Sequence, residues 1–167
     1  TTYTVTGTLA GCTNTAQVTV TVNPAPMVTA EASEDTICDG ESTILTASGA
    51  TTYNWNPGGA GNPITVSPTT TTIYNVTGTS SGCTASAQVQ VVVLPRPNVG
   101  ISTVDDSICV GGSTLLAGTG ADSYVWSTTA TTNSISVSPA STEIFSVTGT
   151  DVNGCTNTAS IEITVLD

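Results

Sequence analysis

Residues 108–126 read ICVGGSTLLAGTGADSYVW and match residues 37–55, ICDGESTILTASGATTYNW, at 10 of 19 positions. Both segments begin with an Ile-Cys pair and end in a Tyr-x-Trp triplet, and they lie 71 residues apart. Side chains alternate between the two faces of a strand, so each triplet sends two aromatic rings to one face. Self-similarity at a fixed period is the signature of a repeat architecture.

The same period runs through the rest of the chain. The segment Pro24-x-Pro26 matches Pro95-x-Pro97, and the Gly-Cys pair that ends at Cys83 recurs at Cys12 and, one residue later in its repeat, at Cys155. The start of the chain therefore matches the end of a repeat. We predict three segments: the C-terminal part of a truncated repeat at 1–23, a whole repeat at 24–94 and another at 95–167.

Within each repeat, short segments of alternating polarity are separated by Gly, Pro and Ser turns, which is typical of half-buried strands. Residues 43–47 and 64–66 are examples. About seven such strands with one Trp on a central strand predict an immunoglobulin-like, or PKD-like, β-sandwich. The fold class is therefore all-β, with tandem repeats of about 71 residues arranged as beads on a string.

Charge and composition exclude several kinds of partner. The chain carries 12 acidic residues, one basic residue and no His, for a formal net charge of −11. Nucleic acid is disfavoured because phosphate binding needs clustered Lys and Arg, and an anionic lipid surface is disfavoured for the same reason. The longest apolar run, near 89–94, is too short for membrane insertion.

The five cysteines follow the repeat. Each whole repeat carries one cysteine near its front and one before its last strand, which predicts the disulfides Cys38–Cys83 and Cys109–Cys155. Cys12 is then unpaired because the front of its own repeat lies outside the chain. Disulfides are typical of exported proteins, so we expect an extracellular location.

No catalytic site or cofactor is expected. Without His or Lys a nucleophile lacks its usual base, and zinc is disfavoured by the lack of His and of CxxC pairs. Two pairs of adjacent acidic residues, one in each whole repeat, are typical of solvated turns. A structural calcium ion is the weaker alternative. Those calcium candidates are Glu34, Asp35, Asp105 and Asp106.

The repeated motifs Ile-Cys-x-Gly, Tyr-x-Trp, Val-Ser-Pro and Tyr-x-Val-Thr-Gly resemble the Ig-like and PKD-like tandem repeats of large Bacteroidetes surface proteins, among them gliding-motility adhesins. The resemblance implies type 9 secretion, display on the cell surface and a filament. Asp35-Thr36-Ile37 and Asp106-Ser107-Ile108 look like the O-glycosylation signal of that phylum, with Thr36 and Ser107 as the modified residues.

Two functions remain open at this point. The repeats form the structural or adhesive shaft of a large bacterial surface adhesin, or they are accessory carbohydrate- or protein-binding modules of a secreted enzyme. A sugar platform needs exposed aromatics, whereas the aromatics here recur with the repeat, as a core requires. The shaft is therefore favoured. Its expected partners are neighbouring repeats of the same chain, with surface polysaccharide and secretion or motility components as further candidates.

Overall fold

The computed structural model describes all residues, 1–167, and contains 17 β-strands. A first hairpin comprises β1 (Thr2–Leu9) and β2 (Cys12–Thr19). The first whole repeat contributes β3 (Thr29–Ala32), β4 (Thr36–Cys38), β5 (Thr43–Ser48), β6 (Thr52–Asn56), β7 (Gly59–Ala60), β8 (Ile64–Val66), β9 (Thr72–Ser80) and β10 (Cys83–Leu94). The second contributes β11 (Gly100–Thr103), β12 (Ser107–Cys109), β13 (Thr114–Thr119), β14 (Ser123–Trp126), β15 (Ser134–Val137), β16 (Glu143–Thr150) and β17 (Thr156–Leu166).

The second whole repeat is a sandwich of a three-stranded and a four-stranded sheet. The first sheet has the order β11-β13-β15 and the second the order β12-β17-β16-β14. Strand β12 runs parallel to β17, whereas the other pairs are antiparallel. Alternate residues of both sheets meet in one core: Ile108, Leu116, Tyr124, Trp126, Val137, Phe145, Val147 and Ile163. The predicted all-β, immunoglobulin-like sandwich is confirmed.

The first whole repeat has the same strand plan. Its sheets have the orders β3-β5-β8 and β4-β10-β9-β6-β7, so only the two-residue strand β7 is added. The positions that match the core of the second repeat, Leu45, Trp55, Tyr74 and Val76, are again buried. The aromatic residues of the whole repeats were therefore correctly predicted as core, except that Tyr53 is only half-buried.

The hairpin of β1 and β2 is a sheet of its own. Every residue of both strands is exposed, including Tyr3 at 58%. The expectation that Tyr3 fills a core position is wrong for this chain, because the two strands pair only with each other and no second sheet covers them. A two-stranded hairpin cannot build a core alone.

Contacts divide the chain into two compact units that do not follow the repeat. Unit 1 comprises Thr1–Ser33, Thr43–Val66 and Ile73–Gln90, and unit 2 comprises Glu34–Ser42, Ser67–Thr72 and Val91–Asp167. Unit 2 thus contains three pieces of the first repeat, namely β4 with its flanking turns, Ser67–Thr72 and the end of β10, together with all of the second. The repeat boundaries at 23/24 and 94/95 stay a prediction.

A tyrosine and a glycine fix the same turn in each repeat. The Tyr124 hydroxyl donates to the carbonyl of Ala121 at 2.9 Å and accepts the Ala121 N–H at 3.0 Å. Gly120 beside it has φ +83°, and a Cβ there would collide with the Asn98 carbonyl oxygen. Only glycine adopts this backbone without strain and leaves room for that carbonyl.

None of the chain's secondary structure is a helix that is long and apolar enough to span a membrane.

Candidate functional site

The most distinctive side-chain arrangement is a disulfide between Cys38 and Cys155. The two residues are 117 positions apart in the sequence, and their Cα atoms are 5.6 Å apart. Both belong to unit 2. Cys38 ends strand β4 of the first whole repeat, whereas Cys155 precedes β17, the last strand of the second. The bond therefore joins the front cysteine of one repeat to the rear cysteine of the next.

The predicted pairings Cys38–Cys83 and Cys109–Cys155 are wrong in this structure. The parallel pairing of β12 with β17 places Cys109 opposite Leu166. Cys155 lies eleven residues before Leu166, at the other end of β17. Those residues span about 36 Å of extended strand, far beyond the reach of a disulfide. The same register places Cys38 opposite Leu94, at the opposite end of β10 from Cys83.

The loop before β17 positions Cys155. One carboxylate oxygen of Asp151 accepts the main-chain N–H groups of Asn153 and Cys155, each at 2.9 Å. The Asp151 N–H donates to the Cys155 carbonyl at 3.0 Å, and Gly154 turns the chain with φ +87°. An aspartate that binds N–H groups ahead of it in this way stabilises a turn. Cys155 itself is fully buried.

The Cys38 side is held by main-chain bonds. Strand β4 runs parallel to the end of β10, and the Asp39 N–H donates to the Leu94 carbonyl at 2.9 Å. The Glu41 carboxylate accepts the Cys38 N–H at 3.0 Å, while the Glu41 N–H donates to the Cys38 carbonyl at 3.0 Å. The front cysteine thus sits on a closed turn at the sheet edge.

Arg96, the only basic residue in the sequence, lies between these two sides. Its Nε donates to the Asp39 carbonyl at 2.6 Å and its Nη1 donates to the Thr156 carbonyl at 2.8 Å. A guanidinium group is suited to this task because its donors are fixed in a planar fork. Next to it, the Asn157 side-chain amide donates to the Pro97 carbonyl at 3.0 Å.

Arg96, Asp151 and Asn157 were not among the candidate residues predicted from the sequence. Two signals were available. The sole cation stands between the two prolines of a predicted linker, and Cys-Thr-Asn-Thr-Ala occurs twice, at 12–16 and at 155–159. Arg96 lies between two prolines and has no acidic neighbour in the sequence. This pattern indicates that its guanidinium group binds main-chain carbonyls.

The bridge encloses a large part of the chain in a covalent loop. On the chain-entropy view, a loop of this length stabilises the fold by about 5 kcal/mol. Since residues 39–154 lie inside the loop, a pull applied at the two ends of the chain passes through the sulfur atoms and bypasses them. The arrangement can therefore carry load without extending the enclosed residues.

Three cysteines are free: Cys12 and Cys109 are exposed, and Cys83 is half-buried. The explanation of Cys12 by truncation of its repeat stays a prediction. The Cys83 sulfur lies 3.5 Å from the Asn23 carbonyl oxygen.

The acidic pairs lie in the turns that lead into β4 and β12. Both candidate glycosylation residues, Thr36 and Ser107, are exposed. They are also equivalently placed, since the Thr36 hydroxyl donates to the Asp35 carboxylate at 3.1 Å and the Ser107 hydroxyl donates to the Asp106 carboxylate at 3.3 Å. No three His, Cys, Asp or Glu side chains come together as a metal site would require. Calcium binding and glycosylation remain predictions.

The surface depressions are open rather than enclosed. One, of about 400 Å³, is lined by Thr51, Thr52, Tyr53, Ala60, Gly61 and Asn62. A cofactor or drug-like ligand usually occupies a more enclosed, more apolar cavity with convergent polar groups. This depression therefore gives no support to a small-molecule site.

No protein-family profile matches the chain, and no curated protein matches it. Solved structures do. The three N-terminal domains of the highly immunogenic outer capsid protein of bacteriophage RB49 align at 18% identity and a TM-score of 0.39, covering 84% of this chain and 59% of that one. A Ca²⁺-stabilized, ice-binding adhesin of an Antarctic bacterium aligns at 19% and 0.46, covering 99% and 56%.

The Escherichia coli adhesin FdeC aligns at 19% identity and a TM-score of 0.39, covering 99% of this chain and 74% of that one. The chain thus spans under two thirds of the first two structures. Overall likenesses this low carry no argument about function, so the fold rests on the sheets themselves. The chain is an all-β protein built from tandem immunoglobulin-like sandwich repeats.

Proposed function

We propose that the chain is a load-bearing shaft segment of a large extracellular adhesin. The observation that carries the proposal is the Cys38–Cys155 bridge, because it links consecutive repeats and removes residues 39–154 from the path of a pulling force. A binding or catalytic module has no need of such a link, whereas a shaft that transmits force from a surface to a cell does.

Two further features support the shaft. Most aromatic side chains of the whole repeats are buried in the cores. Those at most 8% exposed include Trp55, Trp126, Tyr124 and Phe145. A carbohydrate platform would need them on the surface. The disulfide itself is typical of an oxidising, extracellular compartment, where a shaft would operate.

The sequence resemblance supports a finer proposal. The parent protein would be a Bacteroidetes surface adhesin similar to the gliding-motility adhesin SprB, exported by type 9 secretion and displayed as a filament, with Thr36 and Ser107 carrying glycans. Neighbouring repeats, surface polysaccharide and motility components are the proposed partners. Intact mass of the secreted protein tests the glycans, because an unmodified mass would contradict them.

Single-molecule stretching tests the load-bearing role. The chain is pulled from both termini in a background where Cys12, Cys83 and Cys109 are replaced by serine, which leaves only the bridge. We expect the extended length to increase by about 400 Å when Cys38→Ser is added, since 117 residue steps at about 3.4 Å each are released. Equal lengths with and without the bridge would contradict the proposal.

A polysaccharide-binding assay separates the shaft from the accessory-module alternative. The full chain is titrated with soluble polysaccharides of neutral, acidic and amino-sugar type. We expect no saturable binding, because the exposed surface offers few aromatic residues. Saturable binding that is lost on replacing the exposed Tyr3 with alanine would favour the accessory module.

A further inference from the structure

We propose that Cys83 and Cys109 are halves of additional disulfides to adjoining repeats, each equivalent to Cys38–Cys155. The partner of each is a cysteine from another copy of this repeat. In such an array the front cysteine of every repeat bonds the rear cysteine of the next, and no repeat closes a disulfide within itself. The inference goes beyond the shaft function and holds whatever the parent protein attaches to.

Cys109 is built like the bonded front cysteine. Cys38 lies opposite Leu94 on the neighbouring parallel strand, and Cys109 lies opposite Leu166 in the same register. The following N–H donates to that leucine's carbonyl in both, at 2.9 Å from Asp39 and 3.0 Å from Val110. A closing turn bond to the cysteine carbonyl also recurs, at 3.0 Å from Glu41 and 2.8 Å from Gly112. Cys109 differs in being free and exposed.

Cys83 is placed like the bonded rear cysteine. Asn23 ends the segment that matches the end of β10, so it corresponds to Leu94 at the 71-residue shift. The Cys83 sulfur lies 3.5 Å from the Asn23 carbonyl oxygen. In the observed bridge, the front cysteine lies directly opposite Leu94. In a complete preceding repeat, the strand equivalent to β4 would pair with the segment that ends at Asn23. Its cysteine, equivalent to Cys38, would then lie next to Cys83.

The Cys38–Cys155 bridge indicates that the free cysteines are parts of the same repeated arrangement and not unrelated thiols. A half-buried thiol and an exposed thiol alone would indicate nothing. Here one complete bridge exists in the same molecule and its two halves recur with the repeat. Cys109 keeps the strand register of Cys38, and Cys83 lies at the start of the last strand, as Cys155 does, although a different turn leads to it. Cys12, the third free cysteine, occupies a rear position too.

Bond formation is an oxidation of two thiols. Each thiol loses a proton, the two sulfur atoms join, and two electrons pass to an oxidant, which we take to be a low-molecular-weight or enzyme disulfide. That disulfide is cleaved and leaves as two thiols, so atoms and electrons balance.

The first test completes the repeat to which residues 1–23 correspond. A copy of residues 24–71 is joined before Thr1, which matches Thr72, and the whole chain is refolded in reduced and oxidised glutathione. Fragmentation without reductant, followed by mass spectrometry, identifies the linked cysteines. We expect the copy's Cys38 bonded to Cys83, while Cys38–Cys155 persists. Serine in place of the copy's Cys38 is the matched control and leaves Cys83 open to alkylation.

The second test extends the other end, with residues 1–166 followed by a copy of residues 95–167. We expect Cys109 bonded to the copy's Cys155. The Cys38–Cys155 bond in the same molecule reports native folding. The proposal is overturned if that bond forms while Cys83 and Cys109 stay alkylatable. It is overturned equally if the added cysteines bond within their own repeats, or if Cys38–Cys155 itself is not found.

Discussion

One oxygen of the Asp151 carboxylate accepts the main-chain N–H of Cys155 at 2.9 Å. Because the same oxygen also accepts the Asn153 N–H, the aspartate holds the loop that presents the sulfur to Cys38. In the first whole repeat, a tight turn at Ser81 and Gly82, both with positive φ, takes the place of this loop. Cys155, which is bonded to Cys38, is buried, and the free Cys83 is half-buried.

Asp151→Ala is therefore expected to lower the free energy of unfolding by about 1.5–3 kcal/mol, the usual contribution of hydrogen bonds to a charged group. Asp151→Asn should retain much of it, since an oxygen acceptor remains. Asp122→Ala, at an exposed aspartate in the same repeat, is the control and should change stability by under about 0.5 kcal/mol. Urea unfolding measures all three. Equal losses for Asp151→Ala and Asp122→Ala would contradict the role.

Arg96→Ala is expected to speed reduction of the Cys38–Cys155 bond by dithiothreitol, because the guanidinium ties the carbonyls of Asp39 and Thr156 on the two sides of the bridge. Arg96→Lys keeps the charge but not the planar fork, so it should behave like alanine. Reduction is followed by quenched alkylation and mass spectrometry. A lysine variant as slow as the parent would indicate that charge alone is sufficient.

The two core tryptophans should respond differently to replacement by phenylalanine. Trp126 donates from Nε1 to the Thr132 carbonyl at 2.9 Å, whereas the buried Nε1 of Trp55 has no partner. An unsatisfied buried donor costs about 1–3 kcal/mol, so Trp55→Phe removes a penalty that Trp126→Phe does not. We expect Trp126→Phe to be the more destabilising by about 1–2 kcal/mol in urea unfolding. A larger loss of stability for Trp55→Phe would show that side-chain packing, and not the hydrogen bond of the indole N–H, determines the difference.

Alkaline pH should weaken the fold through Tyr74. Burial raises the pKa of the Tyr74 hydroxyl above its ordinary value of 10.0, because the charged phenolate is poorly solvated there. The folded chain then holds its proton more tightly than the unfolded chain. The contribution of Tyr74 to the free energy of unfolding is fully present below pH 10, and it is lost as the pH rises through the raised pKa of the folded state.

Tyr74→Phe, which copies the natural Phe145 of the next repeat, should remove that part of the alkaline loss. Unfolding is measured between pH 8 and pH 11 (chosen to bracket the tyrosine range), with the three free cysteines replaced by serine. An identical alkaline loss in both proteins would rule Tyr74 out as its source.

The strand plan and most of the core could be predicted from the sequence. Alternation along each strand and the recurrence of Tyr-x-Trp at 71 residues specify which face is buried, and Trp55 and Trp126 lie where that pattern placed them. These are local signals, set by the period of the backbone itself.

The disulfide could not be predicted in the same way, because pairing depends on which end of a strand each cysteine occupies. The 71-residue period places Cys109 and Cys155 in one repeat, but two residues of one repeat need not be close in space. The parallel register of β12 on β17 places them a full strand apart. That register is a tertiary property, and nothing local in the sequence encodes it.

Arg96 has a consequence outside stability. It is the only Lys or Arg among the 167 residues, and the bond on its carboxyl side leads into Pro97, which has no N–H and a fixed φ. Proteases that cut after basic residues therefore meet a single candidate bond, and proline follows it. With one contact on Asp39 and another on Thr156, that segment is also held in place, whereas digestion favours exposed, mobile loops. The connection between repeats is thereby closed to a whole class of digestive enzymes.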